Sequence, residues 1–343
     1  MNFNIEQIKK KYNISDDNLL YKYLKFKTKS VDKDSKARRS LGNIYALKVL
    51  IEDFLQDKKN GSSFSELLER QKKKPFGSKI QNHPLDNRLN DEFRRKFKVR
   101  EEMLPVQGLI HNKKKYRKIS THLISDKIKN PIKLAEFVDE TIENFITTLT
   151  EKQTDFLNKI ENLKTKENYN DLLEYCLNSN SDARLFEIFA YVVLRLHYSN
   201  QSISIVVNNK KTIHKLSLYK TGRTNANDGG IDYVLKPLGK FFQVTETLDF
   251  KKYFLDFTKL NRVPITFVIK IENNPEEVIK IIKKNAKNVL PENSIQKYIV
   301  LFEEIITSQT LRSYFKDIIK DKKQNDFKEG LIQNYKLEYG YFD

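Results

Sequence analysis

Asp228-Gly229-Gly230-Ile231-Asp232-Tyr233-Val234-Leu235-Lys236-Pro237-Leu238-Gly239-Lys240-Phe241-Phe242-Gln243-Val244-Thr245-Glu246 reads as two strands joined by a tight hairpin. The runs Ile231 to Leu235 and Lys240 to Glu246 are rich in β-branched and aromatic residues, and Lys236-Pro237-Leu238-Gly239 between them has the composition of a sharp turn. Upstream lie an amphipathic helix, Ala183 to Leu196, and a β-branched run, Ser202 to Val207. Downstream come a helix-like segment, Phe250 to Leu260, and a fully apolar strand, Ile265 to Ile269. The order is helix, three strands, helix, strand, which predicts an α/β (α+β) domain built on a mixed sheet. Further helical stretches are expected at Glu276 to Asn285 and Tyr298 to Phe315.

Residues before about Asn168 have a different period. Ile44, Leu47, Val49, Leu50, Ile51, Phe54 and Leu55 fall at helical spacing, as do Phe137, Val138, Ile142, Phe145, Ile146 and Leu149. No convincing strand interrupts them. The change of period near residue 170 divides the 343 residues into a mostly helical domain, 1–170, and a second domain, 171–343.

Hydrophobic residues make up 39% of the chain, a globular rather than a disordered composition. The net charge of +18 attracts polyanions, so nucleic acid is the first partner to consider. Lysine enrichment from a compositional bias would raise the charge without any partner, but it does not account for Arg38-Arg39, Arg94-Arg95 or Arg100. The lone Cys176 cannot form an internal disulfide and lies in a helix-like apolar setting. No stretch approaches the roughly eighteen apolar residues of a membrane span, and the start, Met1-Asn2-Phe3-Asn4-Ile5-Glu6, lacks a basic and then apolar leader, so a cytoplasmic protein with no membrane contact is expected.

Phosphodiester hydrolysis calls for a hard divalent cation and oxygen ligands. Asp232 opens a strand directly after paired glycines, which let a backbone approach a phosphate closely. Gln243, Thr245 and Glu246 follow on the adjacent strand, where Gln243 and Thr245 share a face and Glu246 takes the other. Glu187 interrupts the apolar face of the preceding helix. An amide inside Phe241-Phe242-Gln243-Val244 needs a partner or a ligand to avoid a cost of roughly 1–3 kcal/mol. As structural alternatives, Asp232 is a turn residue, Glu187 a solvated helix position and Glu246 a surface strand residue. Five histidines and one cysteine show no paired zinc spacing, and no phosphate loop of the ATPase type is present.

The words Ala183-Arg184-Leu185-Phe186-Glu187, Asp228-Gly229-Gly230-Ile231-Asp232 and Phe242-Gln243-Val244-Thr245 together resemble the PD-(D/E)XK nuclease superfamily, in particular its restriction-endonuclease and Mrr-type members. The resemblance covers about Ser181 to Ile271. It implies a restriction-endonuclease-like αβββαβ core holding Mg²⁺, with Asp232 as central ligand, Gln243 at the second ligand position and Glu187 completing the site. Where that family usually has lysine stands Thr245, which supplies no positive charge; Glu246, Lys251 or Lys252 are the sequence candidates to compensate.

Candidate DNA-reading side chains cluster in Gly77 to Asn90, with Lys79, Gln81, Asn82, His83, Asn87, Arg88 and Asn90 suited to base edges. An ordinary polar loop capping a helix that starts near Asp86 is the plainer interpretation of the same stretch. Arg94 and Arg95 would grip phosphates, as would Lys72 to Lys74 and Lys113 to Lys115, and Arg223 with Asn225 would hold the scissile strand. The expectation is a type II restriction endonuclease acting on double-stranded DNA with Mg²⁺, as a homodimer on a palindromic site, and by resemblance paired with a cognate DNA methyltransferase. The alternatives are a catalytically silent or methylation-dependent DNA-binding protein with a nuclease-like fold, or a basic RNA-associated protein.

Overall fold

A computed structural model describes residues 3–31, 34–78, 84–111, 113–179, 181–221, 230–246, 248, 253, 257–258, 262–288 and 290–339. The chain forms two compact units that divide between Leu157 and Asn158, somewhat before the change of period near residue 170. The fold is mixed α/β.

The first unit contains α1 (Ile5–Tyr12), α2 (Leu19–Thr28), α3 (Asp34–Arg39), α4 (Leu41–Leu55), α5 (Phe64–Lys72), α6 (Leu89–Phe97), α7 (Thr121–Ile124) and most of α8 (Pro131–Glu161). Helix α4 is apolar almost all round, with Ile44, Ala46, Leu47, Val49, Leu50 and Ile51 fully buried, as expected of a helix at the centre of a core. Its one buried cation, Lys48, lies 2.6 Å from Asp139 and 2.6 Å from Glu143 on α8 and 3.6 Å from Glu52. Strands do interrupt the helices: β1 (Ser62–Ser63), β2 (Val106–His111) and β3 (Lys114–Ile119) form an antiparallel sheet in the order β1-β3-β2. The expectation that no strand interrupts this mostly helical region is overturned by these three strands. Lys114-Lys115-Tyr116-Arg117-Lys118-Ile119 shows no strand pattern because it is mostly charged; its pairing is held by β2 and by Arg117, whose guanidinium lies over the Phe64 ring and donates to the Leu85 carbonyl at 3.1 Å. Before α6 a π-helical turn, Pro84–Arg88, replaces the expected helix start near Asp86.

The second unit carries α9 (Lys166–Leu177), α10 (Ala183–Ser199), the strands β4 (Ser202–Val207), β5 (Lys210–Lys215), β6 (Ser217–Lys220), β7 (Tyr233–Lys236), β8 (Lys240–Thr245), β9 (Ile265–Ile269) and β10 (Phe302–Ile306), and the helices α11 (Pro275–Ala286), α12 (Glu292–Ile299), α13 (Ser308–Lys320) and α14 (Gln324–Tyr339). The buried Cys176 lies on α9. Five strands form one sheet in the order β10-β9-β8-β7-β6, antiparallel from β6 to β8 and parallel from β8 to β10. The hairpin turn falls at Lys236 to Gly239, where Gly239 has a φ of 68° and its N–H donates to the Leu235 carbonyl.

Two expectations change. Ser202 to Val207 is a strand, but it pairs only with β5 in a separate two-stranded sheet, and the first strand of the main sheet is β6, whose four residues are too short to show a pattern. Tyr298 to Phe315 is not one helix: β10 lies inside it, because Phe302-Glu303-Glu304-Ile305-Ile306 has apolar residues at a spacing that fits either period. The segment Phe250 to Leu260 lies largely outside the described residues; within it Tyr253 and Phe257 are buried.

Side-chain alternation gives the sheet two apolar faces. Ile265, Phe267 and Ile269 pack with Val278 and Ile282 of α11 and with Ile295 of α12. On the opposite face Tyr233 meets Tyr191, and Phe242 meets Tyr198, both from α10. Helix α10 is itself backed by α13 and α14 through Phe189, Phe315 and Phe327.

Candidate active site

Asp232 sits where three strands part. Its N–H donates to the Phe242 carbonyl at 2.8 Å and its carbonyl accepts from Thr221 N at 3.1 Å, so the residue bridges the ends of β6 and β8. The β7 ladder stops at Tyr233 and Phe242, and beyond that point the Asp232 carboxylate accepts the Val244 N–H at 2.6 Å. The side chain therefore takes over the hydrogen bond that the diverging backbone no longer makes.

The β7–β8 register ends with Tyr233 opposite Phe242, so Asp232 and Gln243 are the next residues on the two strands where they part. Gln243 and Thr245 are each 6% exposed and pair with Phe267 and Ile269 across the parallel ladder. The Gln243 Oε1 atom is buried with no hydrogen-bond partner among the described residues. An unsatisfied amide oxygen in that setting costs on the order of 1–3 kcal/mol and is a ready ligand for a cation or a donor.

Glu187 approaches from the α10 face. Asp182 caps the helix by accepting the Arg184 N–H, and Arg184 then reaches both Glu187 and Glu338 at 3.0 Å. Burial pushes the Glu187 carboxyl above its ordinary range, with Arg184 partly opposing the shift. The Tyr233 hydroxyl donates to the Glu187 carbonyl at 2.7 Å, so the residue next to Asp232 in the chain is fastened to the residue that carries the second carboxylate. Both carboxylates act on Lys220, the last residue of β6 and the register partner of Tyr233. Its amine lies 5.0 Å from the centre of the Tyr191 ring, and burial there lowers its pKa.

Glu246 is engaged in an ion pair of its own. It follows β8, its side chain is 36% exposed, and it accepts from Lys270 Nζ at 2.9 Å. Lys270, one residue beyond β9, has a side chain only 2% exposed and also donates to the Ser181 carbonyl at 2.9 Å. Lys220 and Lys270 are the cations that the sequence reading missed. Lys270 had a signal, since a lysine directly after Phe267-Val268-Ile269 at the end of an apolar strand is buried only with a partner; Lys220 had none. Asp228, Gly229, Lys251 and Lys252 lie outside the described residues, as do Arg223 and Asn225.

Of the base-reading candidates in the first unit, Lys79, Gln81, Asn82 and His83 also lie outside the described residues. Asn87 and Arg88 are exposed. Asn90 is committed internally, its amide bonding both the N–H and the carbonyl of Val106 at 2.9 Å. Arg94 forks onto Glu101 at 2.8 and 2.9 Å and reaches Asp91 at 2.9 Å, while Arg95 donates to the Asp91 carbonyl at 3.3 Å. Lys73 and Lys74 pair with Glu69 and Glu52, each at 2.6 Å.

No family model, curated protein or solved structure matches the chain. Among the described residues no three His, Cys, Asp or Glu side chains converge closely enough to hold a metal ion by themselves, and no helix is long and apolar enough to cross a membrane.

Proposed function

We propose that this protein is a Mg²⁺-dependent endonuclease that hydrolyses phosphodiester bonds of double-stranded DNA at a short specific site, in the manner of a type II restriction enzyme. The observation that carries the reading is the orphaned Gln243 Oε1 one residue past the last β7–β8 pair, where the Asp232 carboxylate holds the Val244 N–H, in an antiparallel β6-β7-β8 meander that continues into a parallel β9. The donor chemistry fits magnesium, which usually takes one or two carboxylates and fills its remaining positions with water and phosphate oxygens. Asp232, Gln243 and Glu187 would hold it, and when bound it supplies positive charge at the scissile phosphate and a more acidic water.

The remaining work falls to the chain. Tyr233 fixes the spacing between Glu187 and Asp232 through its hydrogen bond to the Glu187 carbonyl. Burial raises the Glu187 carboxyl, and the Arg184 guanidinium opposes part of that rise. The candidate for the positive charge that Thr245 does not provide is Lys220 at the end of β6, on which both Glu187 and Asp232 act. A homodimer on a palindromic site and a partner DNA methyltransferase belong to the same proposal.

Digestion of unmethylated plasmid and phage DNA in Mg²⁺ and in EDTA tests it, with Asp232→Asn in parallel. Discrete metal-dependent fragments, lost in the variant, support a site-specific nuclease. Binding without cleavage by the wild type favours the second reading, a catalytically silent or methylation-dependent DNA-binding protein. That reading draws on Thr245 standing at the usual lysine position and on Lys270 being bonded to Glu246 and Ser181.

A further inference from the structure

Strands β4 and β5 pair with each other and with no other strand of the described residues. An isolated two-stranded ribbon is marginally stable in water, so its persistence as an outward element asks for a use. All six residues of β5 are exposed, and Val206, Val207 and Ile213 are 64%, 61% and 71% exposed. The register puts Val206 opposite Lys211 and Ser204 opposite Ile213, so one face alternates apolar, hydroxyl and ammonium groups. At the tip Asn208 and Asn209 have φ values of 50° and 60°, the left-handed pair of a tight hairpin turn, which thrusts two amide side chains and then Lys210 and Lys211 forward.

The ribbon's own stretch of sequence carries charge of one sign. No Asp or Glu occurs between Glu187 and Asp228, although acids number 45 in the chain, and the same stretch contains Lys210, Lys211 and Lys215 on β5. Only Leu216 separates β5 from β6, the edge strand that ends at Lys220. Fully extended, Lys210 to Lys220 spans at most about 36 Å, close to one turn of duplex DNA.

We propose that the β4–β5 ribbon is a duplex-DNA-binding element, entering the major groove and directing a duplex along the β5–β6 edge towards Lys220. This rests on the DNA-directed reading of the second unit, but on neither its metal site nor its chemistry. A two-stranded ribbon fits the major groove of B-form DNA, where Asn side chains pair with adenine and apolar groups meet the thymine methyl. The deep, narrow major groove of A-form RNA excludes it, which makes DNA the occupant. Lys210, Lys211 and Lys215 supply phosphate contacts, and Asn208, Asn209 and Ile213 the base contacts.

The test is fluorescence anisotropy of the full chain on labelled duplex DNA in EDTA, over a salt series, with cleavage in Mg²⁺ measured separately. Replacing Lys210, Lys211 and Lys215 together by Gln is expected to lower the slope of log affinity against log salt by two to three and to weaken binding about 100-fold near physiological salt. The triple Arg variant should keep the wild-type slope, and both should unfold at the wild-type temperature because the sites are exposed. Wild-type slope in the Gln variant overturns the proposal while leaving the nuclease reading intact. A wild type that binds duplex but does not cut, with the slope lost in the Gln variant, sinks the nuclease reading alone. A wild type with no affinity for duplex overturns both, and so for the ribbon does a dimer that Ile213→Lys dissociates without change in DNA affinity.

Discussion

At the residue scale, Gln243 separates a structural role from a functional one. A side chain kept for stability loses stability when replaced, whereas an unsatisfied buried amide gains it. Gln243→Leu is therefore expected to unfold at the same denaturant concentration as the wild type or to be more stable by about 1 kcal/mol, with cleavage lost. A loss of more than about 2 kcal/mol in a urea titration would show that the amide is satisfied in solution. Glu187 gives a pH test whose two limbs have opposite sign. Its folded pKa is raised by burial above the ordinary 4.5, so the folded state holds that proton more tightly than the unfolded chain. Its contribution to stability thus falls as pH rises from the ordinary value through the raised one, while activity, which needs the carboxylate, rises over the same window. Arg184→Gln removes the opposing positive charge and should move the acid limb of the rate profile to higher pH; an unmoved limb assigns it to another group. Asp232 has two duties, since its carboxylate also holds the Val244 N–H, so Asp232→Asn, which keeps an acceptor oxygen, is a cleaner variant than Asp232→Ala.

At the scale of elements, the ends of β8 and β9 are tied by one ammonium. Lys270 joins Glu246 to the Ser181 carbonyl just before α10, and removing it takes away the partner of both. Lys270→Met is expected to cost about 2–4 kcal/mol in thermal or urea unfolding. In the first unit, Lys48→Met leaves Asp139 and Glu143, one turn apart on α8, without their shared cation, and a loss of about 3 kcal/mol is expected in the same assay. The β7–β8 hairpin, α10 and β9 were all legible, because alternation, helical period and an unbroken apolar run are strong signals when the segment is packed on the faces they imply. What escaped was set by tertiary pairing. Nothing local in Ser217-Leu218-Tyr219-Lys220 announces an edge strand, and β3 is made of residues that favour strands only once β2 lies beside them. The candidate site was named in the sequence only as separate residue types, Asp232, Gln243 and Glu187. The Tyr233 tether and the two lysines depend on contacts between segments far apart in the chain and could not be read from spacing.

At the scale of the molecule, the +18 charge is not spread as free cations. Arg94, Lys48, Lys74 and Arg184 spend their charge on carboxylates of the same unit, so a count of basic residues overstates what a polyanion meets. The salt dependence of DNA binding should accordingly report a few phosphate contacts rather than dozens, a slope that the β5 lysines dominate.

The exposed Asn208-Asn209 turn followed by Lys210 and Lys211 also makes the ribbon a point of attack. A hairpin held by its own hydrogen bonds alone opens locally more easily than the five-stranded sheet, and trypsin cuts after lysine. The free chain should be nicked there into two fragments that stay associated, and protection of that bond by a duplex would time the arrival of the ligand by a band on a gel.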